Sequence, residues 1–168
     1  MVKLIKYFEQ MSLAFAWLAA WLFVLSGIML SYEVMMRYFF ISPTKWAAEL
    51  SQLCLIYGTL LAMPWMLQNR RHIQINAVTE RLDKKIQNLL SLLTLLILMV
   101  FSGYVTIYGW LIFYDSFERG RTTGSLLDLP SWIAELSIPL FFFILLIQAM
   151  IEAYKLFVGH SFFKSENQ

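Results

Sequence analysis

Leu89-Leu-Ser-Leu-Leu-Thr-Leu-Leu-Ile-Leu-Met-Val-Phe-Ser-Gly-Tyr-Val-Thr-Ile-Tyr-Gly-Trp-Leu-Ile-Phe113 contains no acidic or basic residue, and 15 of its members are Leu, Ile, Val or Phe. At roughly −0.3 to −0.6 kcal/mol each, those side chains favour insertion into a bilayer by about −7 kcal/mol before other terms. The run also exceeds the roughly 20 residues that a helix needs to cross hydrocarbon. It decides the class of the protein, because it is not alone. Asp, Glu, Lys and Arg are likewise absent from Gln10 to Tyr32, from Leu50 to Asn69, and from Leu136 to Ile151. Four such blocks in 168 residues leave no room for a soluble domain. The fold class expected is therefore all-α, a single integral membrane domain of four transmembrane helices over about 11–32, 47–66, 86–113 and 132–154, with short interfacial helices.

Composition agrees: 60% of residues are hydrophobic and 14% charged, against roughly 45–50% and 25% in soluble domains. The net charge of +2 comes with scattered basic residues, which excludes a nucleic-acid-binding surface. One cysteine, Cys54, excludes an internal disulfide, a CxxC redox pair and a thiolate zinc cluster. Lys3 and Lys6 precede the first apolar block, but that block is longer than a signal-peptide core and lacks a small-x-small end. It reads as a retained span, with Val2–Gln10 as a short interfacial helix leading into it.

The second block is the weakest, with six Leu or Ile between Ala47 and Met66 alongside Glu49, Gln52 and Pro64. Its insertion is expected to rely on neighbours. Orientation follows from Lys and Arg: nine lie on the side of the termini and the middle connection, four on the other. Both termini are accordingly expected in the cytoplasm, leaving 33–46 and 115–131 on the periplasmic side. Glu33 and Arg37 stand i,i+4 on one helix face, Pro43 ends that helix, and Gly120, Gly124 and Pro130 read as turns. In the middle connection, Asn76 is the expected N-cap of a helix along the interface, with Val78, Leu82, Ile86 and Leu89 on one face.

Helices in lipid associate through small and polar residues. Ser12, Ala16, Ala19, Ala20, Ser26 and Gly27 share one side of the first helix, opposite Trp17, Trp21, Leu25 and Ile28. On the second, Glu49, Gln52 and Thr59 are flanked by Ala48, Ser51, Gly58 and Ala62. Ser91, Thr94, Ser102, Thr106 and Gly109 mark the third. The fourth shows little of this, its Leu140–Ile147 stretch being bulky all round. The expectation is a compact four-helix bundle in which the broad face of the second helix serves either internal packing alone or one partner inside the chain and one outside.

Chemistry is not visible. No span carries a mid-depth ionisable residue of the kind that marks transport or proton pathways, and no inverted repeat or broken helix pair is present. His72 and His160 lie outside the spans, which excludes axial haem ligation. No cofactor or metal site, and no catalytic residue, is expected.

One ordered set of motifs is more specific. Arg37-Tyr-Phe-Phe-Ile-Ser-Pro43-Thr-Lys-Trp46-Ala-Ala-Glu49 precedes a span containing Gly58, Arg71-His72-Ile73-Gln74-Ile75-Asn76 follows it, and Leu129-Pro130-Ser131-Trp132 opens the last helix. This set resembles the small membrane subunit, the DctQ-like or Q subunit, of tripartite ATP-independent periplasmic (TRAP) transporters. Asn76 stands where that family often has Asp, and Phe141 where it often has Gly. The resemblance implies a non-catalytic subunit in the bacterial inner membrane. It would brace a large multi-span transport subunit driven by sodium and help dock a soluble periplasmic protein that binds an organic acid, such as a sialic acid or a C4-dicarboxylate. It implies Arg37, Trp46, Glu49, Gln52, Gly58, Arg71 and His72 as subunit or lipid contacts, Arg37 either pairing with Glu49 or holding a lipid phosphate. It implies Arg119, Arg121, Asp128 and Pro130 as the docking loop. The alternative from the residues alone is a self-sufficient homodimeric transporter using Glu49 and Gln52. A membrane redox anchor is a third reading, disfavoured by the lone cysteine and the histidine positions.

Overall fold

The structure, a computed structural model, describes residues 2–69, 84–125 and 127–158. They form four helices and no strand: α1 Val2–Phe39, α2 Ala47–Gln68, α3 Lys84–Arg119 and α4 Ser131–Val158. All four are long and apolar enough to cross a membrane. The middle connection, with Arg71, His72 and the expected cap Asn76, lies outside the described residues, as does His160.

Residues 2–10 do not form a separate interfacial helix but run unbroken into the first span. Neither Gly nor Pro occurs before Gly27 to interrupt the helical hydrogen bonds. At 1.5 Å per residue, the 38 residues of α1 and the 36 of α3 reach about 57 and 54 Å, well beyond a ~30 Å hydrocarbon layer. Both outlast the bilayer. α1 stops where Phe40 and Ser42 both donate to the Met36 carbonyl and Ile41 turns to φ 51°, just ahead of Pro43.

The packing differs from the expected compact bundle. The substantial contacts join α1 to α2, α2 to α4, and α4 to α3, so the helices follow one another in the order α1, α2, α4, α3. A third of the most apolar window is buried in α2 and α4, but only 11% in α1 and α3. Two core clusters record this. Ala19, Leu60, Leu61 and Phe141 draw on α1, α2 and α4, while Leu67, Leu95, Leu145, Ala149 and Ala153 draw on α2, α3 and α4.

α4, which showed little of a small-residue face in the sequence, is thus one of the two inner helices. Ser137, Phe141, Leu145, Ala149 and Ala153 are all buried. They are spaced every four residues and form one ridge, the row that interdigitates in helix packing. Small residues flank that face at both ends, with Phe141 and Leu145 between them.

The small-residue sides of the other helices are largely where the sequence puts them. Ser12, Ala19 and Ser26 are buried on α1, while Trp17 and Trp21 on the opposite side are 66% and 69% exposed. On α3, Ser102 and Gly109 are buried, whereas Thr94 faces outward. Gly109 sits against the ring of Pro139, and this contact sets how closely α3 and α4 approach.

Candidate functional site at the outer end

Both described connections lie at one end of the helices, here termed the outer end. Three carboxylates organise it. Glu33, near the end of α1, is 4% exposed. It accepts a hydrogen bond from Arg37 Nη2 at 2.8 Å and one from the Thr44 backbone N–H at 3.0 Å, and the Thr44 hydroxyl donates as well. Three donors converging on one carboxylate compensate its charge where little water reaches. They also fold residues 40–46 back over the end of α1. Trp46 then stacks on Tyr32, ring centroids 6.0 Å apart.

Glu49 stands in the first turn of α2, where the helix dipole favours an anion. Its Oε1 accepts from the Leu127 N–H at 2.9 Å, so it ties the α1–α2 pair to the connection between α3 and α4. The expected Arg37–Glu49 pair is therefore replaced: Arg37 is held by Glu33 one turn away on its own helix, and Glu49 by the opposite loop. Arg37 keeps 58% of its side chain exposed.

Asp115 is the third organiser. Arg119 Nε and Arg121 Nη2 reach its two oxygens at 2.6 and 2.8 Å, so both arginines of the expected docking loop are pinned to the end of α3. The rest of that loop closes on itself. Thr123 N–H donates to the Leu129 carbonyl, Ser131 N–H to the Arg121 carbonyl, and Thr122 bridges Pro130 in antiparallel fashion. Gly120 and Gly124 take φ of 60° and 62°, which glycine adopts without steric cost. Asp128 adopts φ 51° at an exposed turn.

Between this loop and α2 lies a cleft of about 340 Å³ lined by Glu49, Gln52, Thr123, Ser125, Pro130 and Ala134, among others. The second oxygen of Glu49 is buried with no hydrogen-bond partner among the described residues. Gly58 is not at this surface. It is buried on α2 facing Ala19, Leu22 and Phe23 of α1, so the close approach it permits lies within the chain.

The sequence reading passed over three features. Thr44 completes the Glu33 cluster, and the Tyr57 hydroxyl donates to the Ile133 carbonyl at 2.6 Å, joining α2 to the first turn of α4. At the opposite end Lys155 Nζ bridges Glu9 and Glu152, both at 2.7 Å, with buried Gln148 donating to Glu152 at 3.4 Å. Gln148, Glu152 and Lys155 recur at helical spacing, which is the signal that would have revealed that face. Among the described residues no group of His, Cys, Asp and Glu is arranged to hold a metal.

Four membrane-length helices are thus tied together by carboxylates at the helix ends. Comparison with protein families adds that residues 26–159 match the model of the DctQ component of tripartite ATP-independent periplasmic transporters. The chain belongs to the DctQ family. It is thus the small membrane component of a TRAP transporter, a multi-pass inner-membrane protein. No curated protein matches the chain. For a DctQ component the outer-end cluster acquires a context: it is one part of a three-part system in which a membrane partner and a substrate-binding protein are implied.

Proposed function

We propose that this DctQ component is a non-catalytic brace: it holds a large multi-span transport subunit in place and widens the surface on which the soluble binding protein docks. The observation that carries this reading is the distribution of charge. Every Asp, Glu, Lys and Arg among the described residues stands near a helix end or in a connection, whereas carriers place ionisable groups at mid-depth. Nine Lys and Arg residues against four support cytoplasmic termini, so the outer end faces the periplasm. There Arg119, Arg121, Asp128 and Pro130 offer the binding protein a loop already held by ion pairs and backbone hydrogen bonds. Sodium drives the transport of an organic acid through the large subunit, and the soluble protein selects that acid.

Reconstitution tests this reading. Liposomes with the chain alone are expected to take up no substrate under a sodium gradient, and liposomes with large subunit and binding protein added are expected to take it up. Uptake by the chain alone would favour the homodimeric carrier and direct attention to Glu49 and Gln52.

A further inference from the structure

Among the described acidic side chains, most have a visible role. Glu9 and Glu152 share Lys155, Glu33 holds Arg37 and Thr44, Asp115 holds two arginines, and Glu49 accepts from Leu127. Glu118 and Asp128 are exposed. Glu135 is different. It is only partly exposed, and one of its oxygens is buried without a hydrogen-bond partner among the described residues, as in Glu49, whose other oxygen is however held by Leu127.

Among the described residues its surroundings supply no donor. Glu135 lines a groove between α3 and α4 of about 200 Å³ whose other walls are Tyr104, Val105, Tyr108, Gly109, Ile112 and Ile138. The groove is almost wholly apolar, and neither tyrosine hydroxyl bonds to the carboxylate. Pro139, four residues on, has no N–H to give the backbone carbonyl of Glu135. The buried carboxylate oxygen thus faces an apolar trough one helical turn inside Trp132. Acyl chains offer it nothing, and a carboxylate without a partner at this depth is costly. The tyrosine rings lie tilted by 34° against each other, centroids 4.2 Å apart, with Tyr104 60% and Tyr108 50% exposed. Aromatic faces of this kind attract a cation.

The exposed face of α1 differs. Trp17, Trp21, Val24, Leu25 and Ile28 are open there, but both described carboxylates of α1 are already paired. That face suits lipid.

We infer that the α3–α4 groove is the seat of the large transport subunit, which lays a basic side chain along the groove, against the exposed faces of Tyr104 and Tyr108, to meet Glu135. The inference rests on the proposed association with such a subunit and names the face that makes it. Charge complementarity selects the occupant: a protein cation satisfies the carboxylate, whereas a second copy of this chain presents the same anionic groove.

The test uses the whole transporter in native membranes. A benzophenone side chain at position 108 or 138 is expected to form an adduct whose mass identifies the large subunit, and one at position 21 is not. Glu135→Ala is expected to reduce recovery of the large subunit with the tagged chain about thirtyfold or more, as when a buried charge loses its partner. The same substitution is expected not to destabilise the isolated chain, and to stabilise it if anything, because Glu135 has no partner among the described residues. Adducts from 21 but not from 108 or 138 would overturn the inference, as would adducts only with lipid or with a second copy. Full recovery of the large subunit with Glu135→Ala would overturn it too. Failure of the unsubstituted chain to bring down any large subunit would instead remove the brace reading itself.

Discussion

Gly58 and Gly109 occupy equivalent roles on different helix pairs, yet alanine is expected to act oppositely at the two. A methyl built on Gly58 would lie 3.5 Å from the Ala19 carbonyl, the Leu22 Cβ and the Phe23 ring, which is ordinary contact. At Gly109 it would lie 3.2 Å from Pro139 Cδ and 3.4 Å from Pro139 N. A proline ring cannot swing aside, so α3 and α4 must separate by a few tenths of an ångström. Replacing a helical glycine by alanine contributes about 1 kcal/mol through backbone preference, and overpacking costs about 1–3 kcal/mol. Gly58→Ala is therefore expected to be neutral or stabilising by up to ~1 kcal/mol, while Gly109→Ala falls below it by roughly 1–3 kcal/mol. The assay is unfolding of the purified chain from mild detergent into increasing dodecyl sulfate, followed by tryptophan fluorescence. Pro139→Ala in the Gly109→Ala background removes Cδ and should restore part of the loss. Equal midpoints for Gly58→Ala and Gly109→Ala would refute the packing argument.

Glu49→Ala should cost about 1.5–3 kcal/mol, the worth of a hydrogen bond to a charged acceptor, and expose 120–130 to protease; Glu49→Gln, which keeps an acceptor for the Leu127 N–H, should lose about half, read by the rate of nicking. Lys155→Met leaves Glu9 and Glu152 facing one another without their shared cation. With Lys155 24% exposed, the loss in the same unfolding assay should be on the order of 2 kcal/mol, below that of a fully buried pair, and Lys155→Arg should recover most of it. Asp115→Asn should change stability by less than about 1 kcal/mol, because both arginines are well exposed. It should nonetheless loosen the loop, seen as faster amide exchange at residues 119–123.

The four spans were legible because lipid tolerates charge so poorly that the gaps between ionisable residues outline each helix. The small-residue faces of α1 to α3 were legible for a related reason, since Ser12, Ala19, Ser102 and Gly109 permit the close approach on which helices in lipid depend. The inner place of α4 was not legible. Phe141 and Leu145 are as compatible with acyl chains as with protein, so only their four-residue spacing with Ser137, Ala149 and Ala153 separates the two environments. At the outer end, the Glu33–Arg37 pair follows from helical spacing. Thr44 does not, because its approach depends on how residues 40–43 reverse direction. The Glu49–Leu127 bond joins residues 78 positions apart through a backbone N–H, and no side-chain pattern announces it.

The most direct test of the brace account is gentle affinity purification of the tagged chain from native membranes, with each co-purifying protein identified and its stoichiometry measured. The account predicts one large membrane subunit of about a dozen spans for each copy of this chain. Recovery of the chain alone as a monodisperse dimer would contradict it.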